Sequence, residues 1–443
     1  MGSGTSAADT DRAGTPARGL ASRIRGTIRL ALRSLAYRNF RIYFTGQGIS
    51  LVGTWMQRVA MGWLVYRLSG SAFVLGLVGF AGHIPTLLLA PFAGVAADRW
   101  SRKRILYLTQ GLAMGQALVL AALTLTGVVA VWHVLVLALF LGTLDAFDIP
   151  ARQSFFVHMI DDPEDLGNAI ALNSTVFNLA RLVGPSIAGI LIALAGEGVV
   201  FALNGATYLS MLVALALMHT ASTGARDRSQ RLLQNLRDGF GFAWSFLPVR
   251  AVLQLVTVVS FVGTPFVVLM PVFATDVLGG GPDTLGFLMA AQGAGALAGA
   301  LYLASRRGVQ GLGRVIAFSA GIFGAGLIFF GLSRWLWLSL PLLALAGFGI
   351  MVQMAACNTF LQSVVGDGMR GRIMSLYTMA FVGTMPLGSL VAGAVAERVG
   401  APLTVSVGGA ASLVTAVVFA RRLPALRAQA RARLPAPPPG RAA

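Results

Sequence analysis

Cysteine is almost missing from this 443-residue chain: Cys357 is the only one. A single thiol excludes an intramolecular disulfide and a thiolate metal site. The four histidines, His83, His133, His158 and His219, lie scattered without ligand spacing, so no metal centre is expected. Charge is scarce as well. Only 11% of residues are charged, against about 25% in globular domains. Lys103 is the only lysine, and the other cations are arginines, a bias that reads as the base composition of a GC-rich bacterial genome. No Gly-Lys-Ser/Thr loop is present to cradle phosphates, so bound ATP is not the expected energy source. Nor is there a Ser/His/Asp constellation, and no enzymatic activity or cofactor is expected. What fills the chain instead is apolar: 56% of it is hydrophobic. A soluble chain of this length needs far more polar surface to cover its cores. The composition is that of a polytopic membrane protein in contact with the lipid bilayer. The formal net charge of +18 then reports topology, and a nucleic-acid partner is excluded.

A spanning helix needs about 20 mostly apolar residues. Twelve stretches qualify: 41–65, 74–97, 104–126, 131–152, 168–195, 199–219, 251–275, 284–304, 313–333, 336–359, 371–395 and 401–420. An all-α membrane protein of twelve transmembrane helices in two six-helix bundles is expected. An even count puts both termini on one side, and the cations say which. Under this topology 29 of the 34 fall on the termini-bearing face, three (Arg67, Arg334, Arg398) on the other, and Arg58 and Arg181 within spans. By the positive-inside rule both termini are cytoplasmic and the membrane is the bacterial inner membrane. Residues 1–40 are expected to be a cytoplasmic segment with a basic amphipathic helix from residue 23 onward, suited to an anionic leaflet. The bundles are then 41–219 and 251–420. Between them, residues 220–250 form a cytoplasmic linker with interfacial aromatics Phe240, Phe242, Trp244 and Phe246, and 421–443 a disordered tail.

Two sets of six spans suggest duplication. A shift of 204 residues aligns Gly167 with Gly371, Leu172 with Leu376, Phe177 with Phe381, Gly184 with Gly388, Ala188 with Ala392 and Gly189 with Gly393. All lie in spans 5 and 11, as parallel halves of a transporter would place them.

The sharpest local signal joins spans 2 and 3: Gly94-Val-Ala-Ala-Asp98-Arg99-Trp-Ser-Arg102-Lys103-Arg104. Glycine permits close helix approach, and the acid can face the N-terminus of another helix or pair with the cations, stabilising a closed interface. Within the spans, charge is expensive, about 2.5–3.5 kcal/mol near mid-bilayer. Arg181 should therefore face protein or water. It shares a helix face with Ser174, Asn178 and Pro185. Asp145, Asp148 and Arg152 fall at i, i+3 and i+7 of span 4. They read either as a proton-carrying charge cluster with Arg181 or as a static salt-bridge set joining spans 4 and 5. Gly184-Pro185-Ser-Ile-Ala-Gly189 allows tight packing and weakens the helix.

The loop 2–3 stretch resembles the Gly-x-x-x-Asp-Arg-x-x-Arg-Lys/Arg signature of the major facilitator superfamily, and the resemblance covers all twelve spans. Trp55 to Ser71, Asp145 to Gln153 and Asn178 to Pro185 are similar to the branch containing the enterobactin exporter and related drug-efflux carriers. The resemblance implies a central cavity, alternating access, a cytoplasmic gate at Asp98, Arg99 and Arg102, and a span 5 signature tied to export. It also implies that spans 1, 4, 7 and 10 line the cavity. Trp55, Gln57, Arg58, Asn178, Thr264, Gln353 and Asn358 are then the cavity candidates. One departure is visible: the arginine that many proton antiporters of this superfamily carry inside span 4 is missing from Leu141–Pro150. The expected function is export of a small organic molecule, siderophore or drug-like, by a monomer coupled to protons. Import by the same fold, of a nutrient or lysophospholipid, and a non-transporting receptor are the rival expectations.

Overall fold

A computed structural model describes residues 33–157, 159–160, 162–218, 232–306, 308 and 310–433. Every regular element among them is helical, as lipid requires: hydrocarbon supplies no partners for backbone N–H and C=O groups, so each helix satisfies its own. Eleven of the helices are long and apolar enough to cross a bilayer. The twelfth, Arg38–Ser69, is 32 residues long, but Arg38, Arg41, Arg58 and Arg67 dilute its hydropathy. These are spans 1 to 12. Most overrun their apolar stretches. Span 4 is Val131–Val157 instead of ending at residue 152, span 5 is Pro163–Ala195, span 10 is Leu336–Val364, and span 12 is Ala401–Arg433. Apolarity marks the bilayer crossing, whereas the hydrogen-bond ladder continues into water. Leu194, Phe318 and Trp337, between 73% and 84% exposed, would be untenable in a soluble protein and face lipid here.

Spans 5 and 6 are joined by the single residue Gly196 (φ 79°, ψ 170°). Gly400 (φ 88°, ψ 150°) joins spans 11 and 12 in the same way. A Cβ excludes this backbone region. The two glycines are again 204 residues apart, extending the repeat beyond the six pairs named above.

Spans 1 to 6 pack together, as do spans 7 to 12, and the two sets meet chiefly along two seams: span 5 on span 8, and span 11 on span 2. Each seam is a glycine crossing. A Cβ on Gly189 would lie 2.9 Å from the Cα of Gly286, and one on Gly393 would lie 2.9 Å from the Cα of Gly76. Gly189 and Gly393 are repeat partners. Both crossings sit toward the end opposite the described termini. Polar contacts reinforce that end. Tyr66 donates to Asp276 across the halves. Glu397 accepts from Ser71 Oγ and Phe73 N, each at 3.1 Å, at the start of span 2.

Span 7 is interrupted. Its α-helix, Leu247–Val258, passes into wide turns over Val259–Gly263 and tight ones over Thr264–Val267 before Met270. Pro265 has no N–H to offer the carbonyl of Phe261, and Gly388 of span 11 packs against that carbonyl. At the termini-bearing end, Arg33, Ser34 and Tyr37 bind the start of span 5 through Asp165 and Asn168. The hydrogen bond to Asp165 pushes the Tyr37 phenol above its ordinary titration range. Residues 23–32 of the expected amphipathic helix lie outside the described residues, and Arg33–Ala36 form one tight turn instead. Within the linker, Leu232–Ser245 is an amphipathic helix with Phe240 and Trp244 exposed, tied to span 11 by Asp238 and Arg372 at 2.9 Å.

Candidate transport site

Between the halves lies a cavity of about 260 Å³. Spans 1, 2, 4 and 5 line one side and spans 7, 8 and 11 the other. Most of the wall is aliphatic or methionine, and the polar exceptions decide what it can do.

Span 1 contributes Trp55 and Arg58. They are three residues apart, so they share a face. The Arg58 guanidinium lies 5.0 Å from the Trp55 ring centroid, and that of Arg181 lies 5.6 Å from it. Cation–π attraction is strong where water is excluded, and indole is its best ring. Phe177 of span 5 meets the same indole edge-on at 5.8 Å. Asp145 of span 4 faces Arg58 across the cavity, with a closest approach of 3.9 Å and 38% of its side chain exposed. That distance is too long for a hydrogen bond, so both groups keep capacity for a third.

Asp148 points elsewhere. It is 6% exposed and accepts from Thr109 Oγ1 at 2.8 Å, Gln110 Nε2 at 2.9 Å and Arg152 Nε at 2.8 Å. Arg152 continues to Gln47 of span 1. These contacts tie spans 1, 3 and 4 together inside one half. The expected cluster is therefore divided in space: Asp145 and Arg181 line the cavity, whereas Asp148 and Arg152 pair with each other inside the N-terminal half. Arg152 lies within the span 4 helix, five residues before its end. Three residues along a helix turn the side chain by about 60°, enough to cross from cavity wall to bundle interior.

The other cavity candidates scatter. Gln57, beside Arg58 in sequence, turns into its own half and bonds Gln116 at 2.9 Å and Asn204 at 2.6 Å. Asn178 donates to its own Ser174 carbonyl at 2.8 Å, and Thr264 to Ser260 at 2.7 Å. Gln353 is buried, and neither of its amide atoms is bonded among the described residues. Asn358 bonds Gln362 at 2.5 Å on an exposed face. None of these five lines the cavity, because each is bonded or packed away from it. Gly184 lets span 5 close on Trp55, where a Cβ would lie 2.6 Å from that residue's own. Two lining polar residues escaped the sequence reading, His83 of span 2 and Gln292 of span 8. A lone polar residue in an apolar span was the available signal for each.

For the loop 2–3 motif the backbone is helical through Arg99, and span 3 begins at Arg102. The side chains of Asp98 and Arg99 lie outside those described. Lys103 reaches the Met218 carbonyl at the end of span 6, at 2.7 Å, a cation on a helix C-terminus.

Comparison with known proteins agrees with this architecture. The profile of the transmembrane secretion effector family matches residues 30–441. A multidrug efflux pump Tap of Mycolicibacterium fortuitum is 30% identical over 80% of this chain and 87% of its own. The staphyloferrin A transporter of Staphylococcus aureus is 24% identical, over 86% of this chain and 95% of its own. Macrolide efflux protein A of Streptococcus pyogenes is 22% identical over 82% of this chain and 92% of its own. Among solved structures, a bacterial homologue of the human lysosomal transporter Spinster, inward-facing and unoccupied, superposes with a TM-score of 0.64 at 14% identity, over 89% of this chain and 96% of that one. At that identity it speaks for the fold alone. With twelve helices in two sets around a central cavity, and a family profile covering nearly the whole length, the chain belongs to the transmembrane secretion effector family of the major facilitator superfamily, as a multi-pass membrane transporter.

Proposed function

We propose that this transporter exports a small organic molecule, siderophore or drug-like, across the bacterial inner membrane by alternating access, with both termini cytoplasmic and proton entry as the driving force. One observation carries the reading: a cavity holding intramembrane charges lies between two halves whose glycine crossings meet toward the end away from the termini. If that end is external, the cavity is poised to load from the cytoplasm. The Gly184-Pro185 stretch of span 5 and the names of the relatives point to export.

Asp145 is the proton carrier in this scheme, because Asp148 has all its acceptor capacity committed inside one half. Deprotonated, Asp145 holds Arg58. A proton arriving from outside neutralises it, breaks that pair and discharges the cargo, so proton and cargo occupy the site in turn. Asp98 acts at the cytoplasmic gate.

Everted membrane vesicles test the scheme with a radiolabelled carboxylate siderophore as the probe. Wild-type vesicles should accumulate it when acidified inside, and the accumulation should collapse with an uncoupler. Asp145→Asn should remove the dependence on the pH gradient while equilibrating probe passively. Asp98→Asn should abolish movement altogether with normal amounts of protein in the membrane. Uncoupler-resistant accumulation rules out proton coupling, and full activity of Asp98→Asn rules out the gating role.

A further inference from the structure

Every charged group lining the cavity belongs to the N-terminal half: Arg58, Asp145 and Arg181, with the titratable His83 beside them. The facing wall from spans 7, 8 and 11 includes Val268, Leu285, Met289 and Met385, and Gln292 is its single hydrogen-bonding side chain. Gln292 is 3% exposed.

The charges do not cancel. Asp145 is the sole acid on the wall, and Arg58 stands opposite it at 3.9 Å. His83 already engages the Gly79 carbonyl at 2.9 Å. Arg181 is left over. Among the described residues no carboxylate lies within ion-pair distance of it, and its one recorded partner is the face of Trp55. A guanidinium carries five N–H donors in a planar fork, and an indole face satisfies none of them as a hydrogen bond. A cation with idle donors in a membrane interior is costly, and the fold does not demand it, because the repeat-related position is Met385 on the same cavity.

We propose that the cavity takes an organic anion in one fixed orientation, its carboxylate on Arg181 beside Trp55 and its apolar body against the C-terminal wall. This builds on the exporter reading for the place where cargo sits. A carboxylate fits the guanidinium fork with two parallel hydrogen bonds, and the Trp55 indole between two cations offers a flat flank to an aromatic or aliphatic body. Gln292 supplies the one polar contact available on the far side. Cationic cargo meets an uncompensated like charge and is disfavoured.

Two xanthene dyes of similar size and opposite charge, fluorescein and rhodamine 123, make the test. Their equilibrium binding is measured by anisotropy at pH 7.5 on purified full-length protein in nanodiscs of neutral lipid. Fluorescein should bind about tenfold more tightly than rhodamine 123, the lower range for a hydrogen bond to a charged group. Arg181→Met should erase that ratio, and Arg181→Lys should retain most of it. Equal or reversed preference in the wild type overturns the proposal, as does a ratio that survives Arg181→Met with unchanged thermal melting. Displacement of bound fluorescein by lysophosphatidylglycerol, compared with naphthoate, tells a lipid source of the anion from a soluble one. The binding ratio needs no gradient and no flux. It can therefore stand while vesicle transport fails, or fail while charge-blind transport succeeds.

Discussion

Valine at Gly189 or Gly393 is expected to stop net transport without unfolding the protein. A Cβ at Gly189 would lie 2.7 Å from the Pro282 carbonyl, and one at Gly393 would lie 2.7 Å from that of Ala72. Both obstructions are backbone, so no rotamer change relieves them. Separation of the halves at that end is the available relief. Overpacking of this kind costs about 1–3 kcal/mol, and a difference of about 1.4 kcal/mol is tenfold in population. The closed conformer should therefore lose roughly one to two powers of ten relative to a state in which the crossings are apart. A cysteine pair at Ser71 and Glu397 in a Cys357→Ser background reads this directly, since those side chains touch at 3.1 Å only when the end is shut. Cross-linking should fall steeply in either valine variant, and further in the double variant. Unchanged cross-linking together with unchanged transport would sink the idea that these crossings form a gate.

The second large effect is on stability. Asp148→Ala should lower the thermal unfolding midpoint more than any cavity substitution. It leaves the largely buried Arg152 guanidinium, 22% exposed, without its carboxylate and strips acceptors from Thr109 and Gln110. Breaking a buried pair by removing one partner costs about 3–5 kcal/mol, whereas replacing both with apolar groups is far milder. Asp148→Leu combined with Arg152→Met should therefore recover most of the loss, and a double-mutant cycle measures the coupling. Asp145→Asn, on the half-open cavity wall, should melt close to the wild type. If Asp148→Ala and Asp145→Asn proved equally harmless to stability, the division between buried pair and cavity would be wrong.

The contrast between these two acids shows where the sequence stops being informative. Helical periodicity placed Asp145, Asp148 and Arg152 on one face, and that is correct as far as it goes. What periodicity does not say is where a face divides between a cavity and a neighbouring helix, because that depends on partners distant in sequence. Gln57 fails for a simpler reason: it is about 100° around the helix from Arg58, so the two never shared a face. The spans were legible from length and apolarity, with ends too short because polar turns still hydrogen-bond as helix. The repeat was legible from its glycines at a fixed offset. The crossings were not, since Gly76 and Gly286 follow no offset from the residues they meet. His83 and Gln292 were passed over because an isolated polar side chain has no motif, and only the cavity gives it a context.

The one-residue links at Gly196 and Gly400 leave the crossing helices no slack. Span 5 cannot tilt without carrying span 6 along, nor span 11 without span 12. From Gly189 back to Pro163 the helix runs about 39 Å at 1.5 Å per residue. A tilt of ~10° about the crossing therefore swings the far end by roughly 7 Å at the same 1.5 Å rise. Under the proposed alternating access, movements too small to disturb packing at the pivot would become an aperture for cargo at the other face. The stiff joints give the molecule mechanical advantage, and a flexible insertion after Gly196 would let the lever bend instead of turn.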